Sequence, residues 1–590
     1  MNNSARSVER VNVKLSHIGI TFAVWTDSKD IMDAWELALG LMIEGTTMRN
    51  EVCIPFSGWL IAILTSVMLF GATGCTREDT DSCEYWTKQL VNPSNARNAL
   101  VQVGQMKCKD AIPKMKEMFD EGQYTENIIV ALREIEDKDA AREILSKGLR
   151  IKDIGSKCAN IIAEMQLSEA RPALIEILST NRNPSAREAS LEALVQLTPD
   201  KTQIEDTLIA VLEDDPSLQG IKVNARASEE LGKMKSVKAV DALVKSLFLK
   251  DSHNAEIYQY ARLALVRIGE PAAAALSKAA MNQFEPMTQM AMAKNIPTWE
   301  WLEGPKLSQL LGDLRLPSGA DAVAANMLRD LQKIEGLSEA QNEKWIQNQS
   351  NRLVIGMLSL GKIGSDSPTA ALAAIIPNQN ERDTSQRLRA ASALGFIGTQ
   401  TAVDALVNAY KEEKDYRFRA ALLQPLAAAM DEAHIATWTE IEEYIKPKTK
   451  DGSLYYEQQV LYDQFKDEQT GPKTDAYISV VRECGTNSTC YLNKLTSKDL
   501  YTREKATIMA MRGIASAPET FKALLAAFKE SAIEETDLRN FLVMALGRVG
   551  TAANAKEIEQ FSESLKQKGK AEGYWASEML ILAEALSHKK

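Results

Sequence analysis

The sequence predicts an all-α chain, an α-solenoid superhelix of stacked antiparallel helix pairs, from three observations. The chain has 590 residues, more than one compact core serves, so it is either several domains or an elongated array. Its composition, 45% hydrophobic and 25% charged with only 6% aromatic residues, suits Ala- and Leu-rich helices better than a β-sandwich. Finally, one pattern recurs: an Ala-rich apolar stretch ending Leu-x-x-φ-Gly, where φ is apolar.

Clear copies are Leu265-Val-Arg-Ile-Gly269, Leu360-Gly-Lys-Ile-Gly364, Leu394-Gly-Phe-Ile-Gly398 and Leu546-Gly-Arg-Val-Gly550. Weaker ones are Leu100-Val-Gln-Val-Gly104, Leu194-Val-Gln-Leu-Thr198 and Leu231-Gly-Lys-Met-Lys235. A second block, Ala239-Val-Asp-Ala-Leu-Val244 and Ala402-Val-Asp-Ala-Leu-Val407, follows its Leu at one fixed offset. Leu394 and Ile397 share a helix face, and Gly398 is expected to stop the helix in the left-handed region. Ala402, Leu406 and Ala409 form the apolar stripe of a second helix. Neither helix buries enough surface alone, so units must stack and touch mainly their neighbours.

The pattern resembles the HEAT-repeat family, especially its Ala-rich bacterial branch of phycobilisome-lyase type. The resemblance covers about residues 92–590, roughly a dozen units at the family period. It implies a solenoid with a long concave surface. It also implies ladders in which first-helix arginines (Arg97, Arg187, Arg226, Arg389, Arg419, Arg503) meet acids such as Asp241 or Asp404 of a neighbouring unit. An anion-binding strip is the alternative reading of those arginines.

From the N-terminus, the elements read as follows. Residues 52–76 carry no charge, and Trp59–Phe70 is their most apolar part. Gly71-Ala-Thr-Gly-Cys75 and a polar run follow. This order is that of a secretory signal segment, and the lone Cys75 resembles the acylated cysteine of bacterial lipoproteins. The pattern departs from that family at Ala72, where Leu is usual. An uncleaved anchor and ordinary signal-peptidase cleavage remain alternatives. Met48-Arg49 supplies the basic start, which places 1–47 outside the translated protein, 48–74 as signal peptide and 75–91 as a polar tether. HEAT-like repeats are expected over 92–280 and 351–445. Irregular helical segments fall at 281–350 and, Tyr-rich, at 446–500. Repeats resume over 501–590 and end in a terminal cap helix at about 572–587. Trp299, Trp301, Tyr455, Tyr456 and Tyr462 in the irregular segments are either interface anchors or core filling.

No catalytic residue or metal ligand emerges, and no cofactor is implied. Gly356-Met-Leu-Ser-Leu-Gly-Lys362 matches most of a phosphate-binding loop, but Ile363 stands where the magnesium-binding hydroxyl belongs and the context is an apolar helix. The four histidines, His17, His253, His434 and His588, form no metal-ligand spacing. The net charge is −11, so nucleic acid is not an expected partner. Of seven cysteines, Cys484 and Cys490 flank a turn and are expected to form a disulfide, Cys83 with Cys108 is a second pair, and Cys158 reads as a buried thiol.

These readings converge on a non-enzymatic scaffold, lipid-anchored in a bacterial envelope and facing the periplasm or surface, most simply at the outer membrane. It would bind a protein partner along its concave side. Two alternatives stay open: a lyase- or chaperone-like factor handling a tetrapyrrole or other small ligand, as some relatives do, and a purely structural envelope protein.

Overall fold

The computed structural model describes residues 81–293, 305–329, 339–377, 384–446, 454–513 and 515–589. The chain divides into two compact units, Met1–Arg77 and Glu78–Lys590, and every described residue belongs to the second. The expectations for 1–47, 48–74, Cys75, Trp299 and Trp301 therefore fall outside the described residues. Among the described residues every regular element is a helix, with one isolated bridge between Lys250 and Glu256.

Helix pairs alternate between two layers. The first five helices of one layer are α1 (Ala96–Gln105), α2 (Thr125–Ile135), α3 (Gly155–Glu164), α4 (Pro184–Leu197) and α5 (Ile221–Lys233). The same layer continues through α6 (Tyr258–Ile268), α7 (Pro305–Leu314), α8 (Glu339–Ile363), α9 (Thr384–Ile397) and α10 (Leu423–Ala429). It ends with α11 (Gly471–Cys484), α12 (Leu500–Met511), α13 (Thr536–Val549) and α14 (Gly573–Ser587). Small residues let these helices approach closely. A Cβ on Gly104 would lie 3.1 Å from Cα of Ala131, and one on Gly232 would lie 2.6 Å from Cα of Ala264. Close approach on one side bends the stack toward that side, which makes this the inner layer. The outer layer comprises their partners, such as Ile112–Asp120, Lys138–Gly148, Gln400–Glu412 and Ala517–Glu530.

Helix ends follow local chemistry. Asp137, Asn183, Asp415 and Asp499 accept hydrogen bonds from backbone N–H groups of the first turn of the helices they precede. Gly269, Gly364 and Gly398 end α6, α8 and α9 with φ of 81°, 68° and 63°. Two expected stops differ. Gly104 lies within α1, facing Ala131, and Lys107 takes the left-handed turn instead with φ 54°. Gly550 follows α13 at φ −69°, an ordinary extended conformation.

The expectation that units touch mainly their neighbours holds for α1–α5 and fails beyond them. From α6 onward the inner helices coil so tightly that distant ones meet. α14 packs against α6, α7 and α13, and α8 packs against α13. The final helix is therefore no terminal cap. Met579 and Leu586 are fully buried and Leu582 nearly so, because α14 fills the axis of the coil. The second unit thus comprises an open arm, built on α1–α5, and a closed coil, built on α6–α14.

Candidate functional site

The coil closes through charge. Arg262 of α6 meets Asp313 of α7 at 2.7 Å and Glu578 of α14 at 2.7 Å, and Lys362 of α8 reaches Asp313 at 2.7 Å. Arg262, Asp313 and Glu578 are all at most 5% exposed. Burial by itself would raise the Asp313 carboxyl, but Arg262 and Lys362 hold it below its ordinary value. Two cations and two anions thus neutralise one another in the interior, far apart in sequence.

A second set of cations seals the inner helices' C-terminal ends, where unpaired carbonyls and the helix dipole favour positive charge. Arg548, in the last turn of α13, donates to the carbonyls of Phe396 and Ile397 at the end of α9, at 3.2 and 2.6 Å. Arg512 donates to Ala429 O at 2.9 Å, and the fully buried Lys505 to Ala427, Ala428 and Met430 O at 2.6–3.0 Å, closing α10. Lys589 donates to three carbonyls at the end of α13, and Arg315 to Val543 and Met544 O. Burial pushes the Lys505 ammonium well below its ordinary range and Lys589 down to about 8. Glycines make room for these groups: a Cβ on Gly547, Gly364 or Gly398 would run into Arg315, Arg548 or Arg512.

The expected arginine ladder exists with other partners. Arg187 meets Asp214 at 2.5 Å, Arg387 meets Glu413, Arg503 meets Glu535 at 2.5 Å and Arg539 meets Glu572 at 2.7 Å. Arg387, rather than Arg389, is the rung in its repeat, because it lies on the buried face of α9. Asp404 instead takes Nε2 of His434 at 2.7 Å, whose Nδ1 meets Asp431 at 2.6 Å. Arg97 and Arg419 stack near Tyr124 and Tyr410. Lys362 of the near-match to a phosphate loop is occupied by Asp313.

The structure joins Cys83 to Cys108 and Cys484 to Cys490 by disulfides, each with Cα atoms 5.4 Å apart. Cys158 is free and buried, and burial pushes its thiol up to about 12. Tyr455 and Tyr456 are exposed at 68% and 63%, and Tyr462 is also exposed. Tyr477 and Tyr491, from the same irregular stretch, are core. No group of side chains able to hold a metal occurs among the described residues.

Two surfaces remain as candidate sites. One is the uncovered inner face of the arm. Val101 of α1 and Val130 of α2 are exposed at 47% and 42%. Charged rungs cross between successive inner helices of the arm: Lys157 with Glu126 between α3 and α2, and Lys222 with Glu188 at 3.5 Å and Arg226 with Glu192 at 2.9 Å between α5 and α4. The other is a cavity of about 260 Å³ on the inner side of the coil, walled by α8, α9, α10, α11 and α13. Met357, Leu388, Phe396, Pro425 and Phe541 supply its apolar wall, and the Phe396 and Phe541 ring centroids are 5.2 Å apart. Neither the cavity nor the buried charge group is legible as a motif. The available signal was the cation at the third position of the repeat motif in Arg267, Lys362 and Arg548, each of which pairs across the coil.

Residues 386–412, spanning α9 and its outer partner, match the family model described as PBS lyase HEAT-like repeat. Among solved structures, an engineered protein is 18% identical with a TM-score of 0.23, over 79% of this chain and 98% of that one. Kap121p bound to Pho4p is 12% identical with a TM-score of 0.22, over 80% of this chain and 61% of that one. Unbound Kap121p is also 12% identical, with a TM-score of 0.23, over 85% and 60%. This chain thus spans about three fifths of the Kap121p length. No curated protein matches the chain.

Proposed function

Taking the chain as a HEAT-repeat protein, we propose that it is a non-enzymatic scaffold, tethered to a bacterial envelope through Cys75, whose arm binds a protein partner along its inner face. The observation that carries this reading is the contrast between the two inner faces. The coil fills its own interior with α14, whereas α1–α5 leave a continuous inner strip open. That strip carries the exposed Val101 and Val130 on α1 and α2 and ion pairs of both signs from α2 to α5, a mixture that suits a protein surface. It has no one-sided positive field, which a nucleic acid needs.

The tether rests on the order of features from Arg49 to Glu84 and on the oxidising compartment that two disulfides favour. The tetrapyrrole reading finds less support. The coil's cavity, at about 260 Å³, falls below the roughly 300–1,000 Å³ of sites for drug-sized ligands. A photo-cross-linker placed at Val130 or Glu192 tests the arm, with Glu143 on the outer helix Lys138–Gly148 as control. One saturable partner captured from the inner positions, and lost on Val130→Asp, is expected. Equal capture from Glu143 contradicts the reading. Metabolic labelling with a fatty-acid analogue tests the tether: label is expected on the wild type and absent from Cys75→Ala.

A further inference from the structure

The cavity of the closed coil has polar groups at its mouth that the protein leaves unused. Arg389 of α9 and Asp537 of α13 line it. Neither makes an ion pair or side-chain hydrogen bond with another described residue, while almost every other inner-layer arginine of the coil is paired or bonded to carbonyls. Asn540, one turn beyond Asp537, is also unbonded; Arg389 and Asn540 are half-buried and Asp537 is exposed to solvent. Lys473, the remaining charge in the wall, is satisfied by Glu504 at 2.9 Å. Behind the mouth the wall is apolar, with Met357 and Phe541 buried and Leu388 and Phe396 half-buried beside the opening.

We infer that this cavity binds a small zwitterion with an apolar side chain, a free apolar amino acid being the chemical class that meets both charges left without a protein partner. The carboxylate lies on the Arg389 guanidinium, whose planar fork matches it in bidentate fashion. The ammonium lies on Asp537, and the side chain enters between Phe396, Phe541 and Met357. Charge complementarity selects the zwitterion. A plain anion leaves Asp537 opposed, and a plain cation leaves Arg389 opposed. Size agrees: at about 260 Å³ the cavity lies just below the roughly 300–1,000 Å³ of sites for drug-sized ligands, which suits a smaller molecule such as one amino acid. The site is separate from the arm, so it stands or falls independently of the scaffold reading.

The test is calorimetric titration of the full-length protein with leucine and two isosteric fragments, 4-methylpentanoate and 3-methylbutylamine. Leucine is expected to bind at least about tenfold more tightly than either fragment, since a site built for a polar group rejects the analogue lacking it. Arg389→Gln should bring leucine to the level of the amine, and Asp537→Asn to the level of the acid, with the helical circular-dichroism spectrum unchanged. The second variant separates two roles for Asp537: a carboxylate serving only the first turn of α13 would shift stability and leave ligand selectivity alone. Absence of saturable leucine binding, or leucine affinity unchanged in Arg389→Gln, overturns the inference. Equal affinity for 4-methylpentanoate also overturns it and redirects the site to a chain terminus or a plain fatty carboxylate.

Discussion

Gly232 and Gly547 occupy the same place in the repeat, the residue after its Leu, yet they serve different contacts. In the arm, Gly232 lets the next inner helix come close, with Ala264 against it. In the coil, Gly547 admits Arg315 from the turn after α7, more than two hundred residues earlier. The helix ends differ in the same way. In the arm, Lys107, Glu136, Gln166 and Lys235 take the left-handed turn despite carrying side chains. In the coil, Arg315 still takes it at the end of α7, but Gly364 and Gly398 take it at the ends of α8 and α9, where Arg548 and Arg512 fill the space a side chain would need. A repeat array becomes a closed body when the room beside its inner helices is given to distant partners instead of the next unit.

The largest effect should come from the buried charge group. Asp313→Asn leaves Arg262 and Lys362 facing Glu578 alone, with one uncompensated buried charge. It should cost about 3–5 kcal/mol in urea unfolding of the coil. A cost below about 1 kcal/mol would mean that water reaches the group and that the closure is loose.

Reduction tests the N-terminal end of the arm. The Cys83–Cys108 bridge closes 25 residues, worth about 3.5 kcal/mol by chain entropy, against roughly 2 kcal/mol for the six-residue Cys484–Cys490 loop. Because arm units interact mainly with their neighbours, Cys83→Ser should expose the first unit to protease and leave α6–α14 protected. Gly547→Ala is expected to cost about 1–3 kcal/mol, since Arg315 must move out of a packed seat. At the small end, Lys157→Ala removes an exposed rung with Glu126 and should change stability by well under about 1 kcal/mol. If that substitution matched Asp313→Asn, the distinction between open arm and sealed coil would be lost.

The helical architecture was legible because its cause is local. Apolar residues recur at helical spacing, and Asp, Asn and Gly punctuate the ends. The arginine rungs were legible in kind but not in partner: Arg387 and Arg389 both fit a ladder by spacing, and only burial separates them. The fate of the tyrosines was undecidable for the same reason, with Tyr455 and Tyr456 outside and Tyr477 and Tyr491 inside. The closure was illegible because it joins α6–α9 to α13 and α14 through contacts that no period encodes. A stacking rule says what the next repeat touches and nothing about the repeat five places on.

Native-state hydrogen exchange, read helix by helix, tests the central claim that the arm is an open array and the coil a closed one. If the account holds, amides of α6–α14 share one high opening free energy, while protection in α1–α5 falls in steps toward the N-terminus. Stepwise loss of protection through α12, α13 and α14 toward the C-terminus, with α6 unaffected, would contradict it.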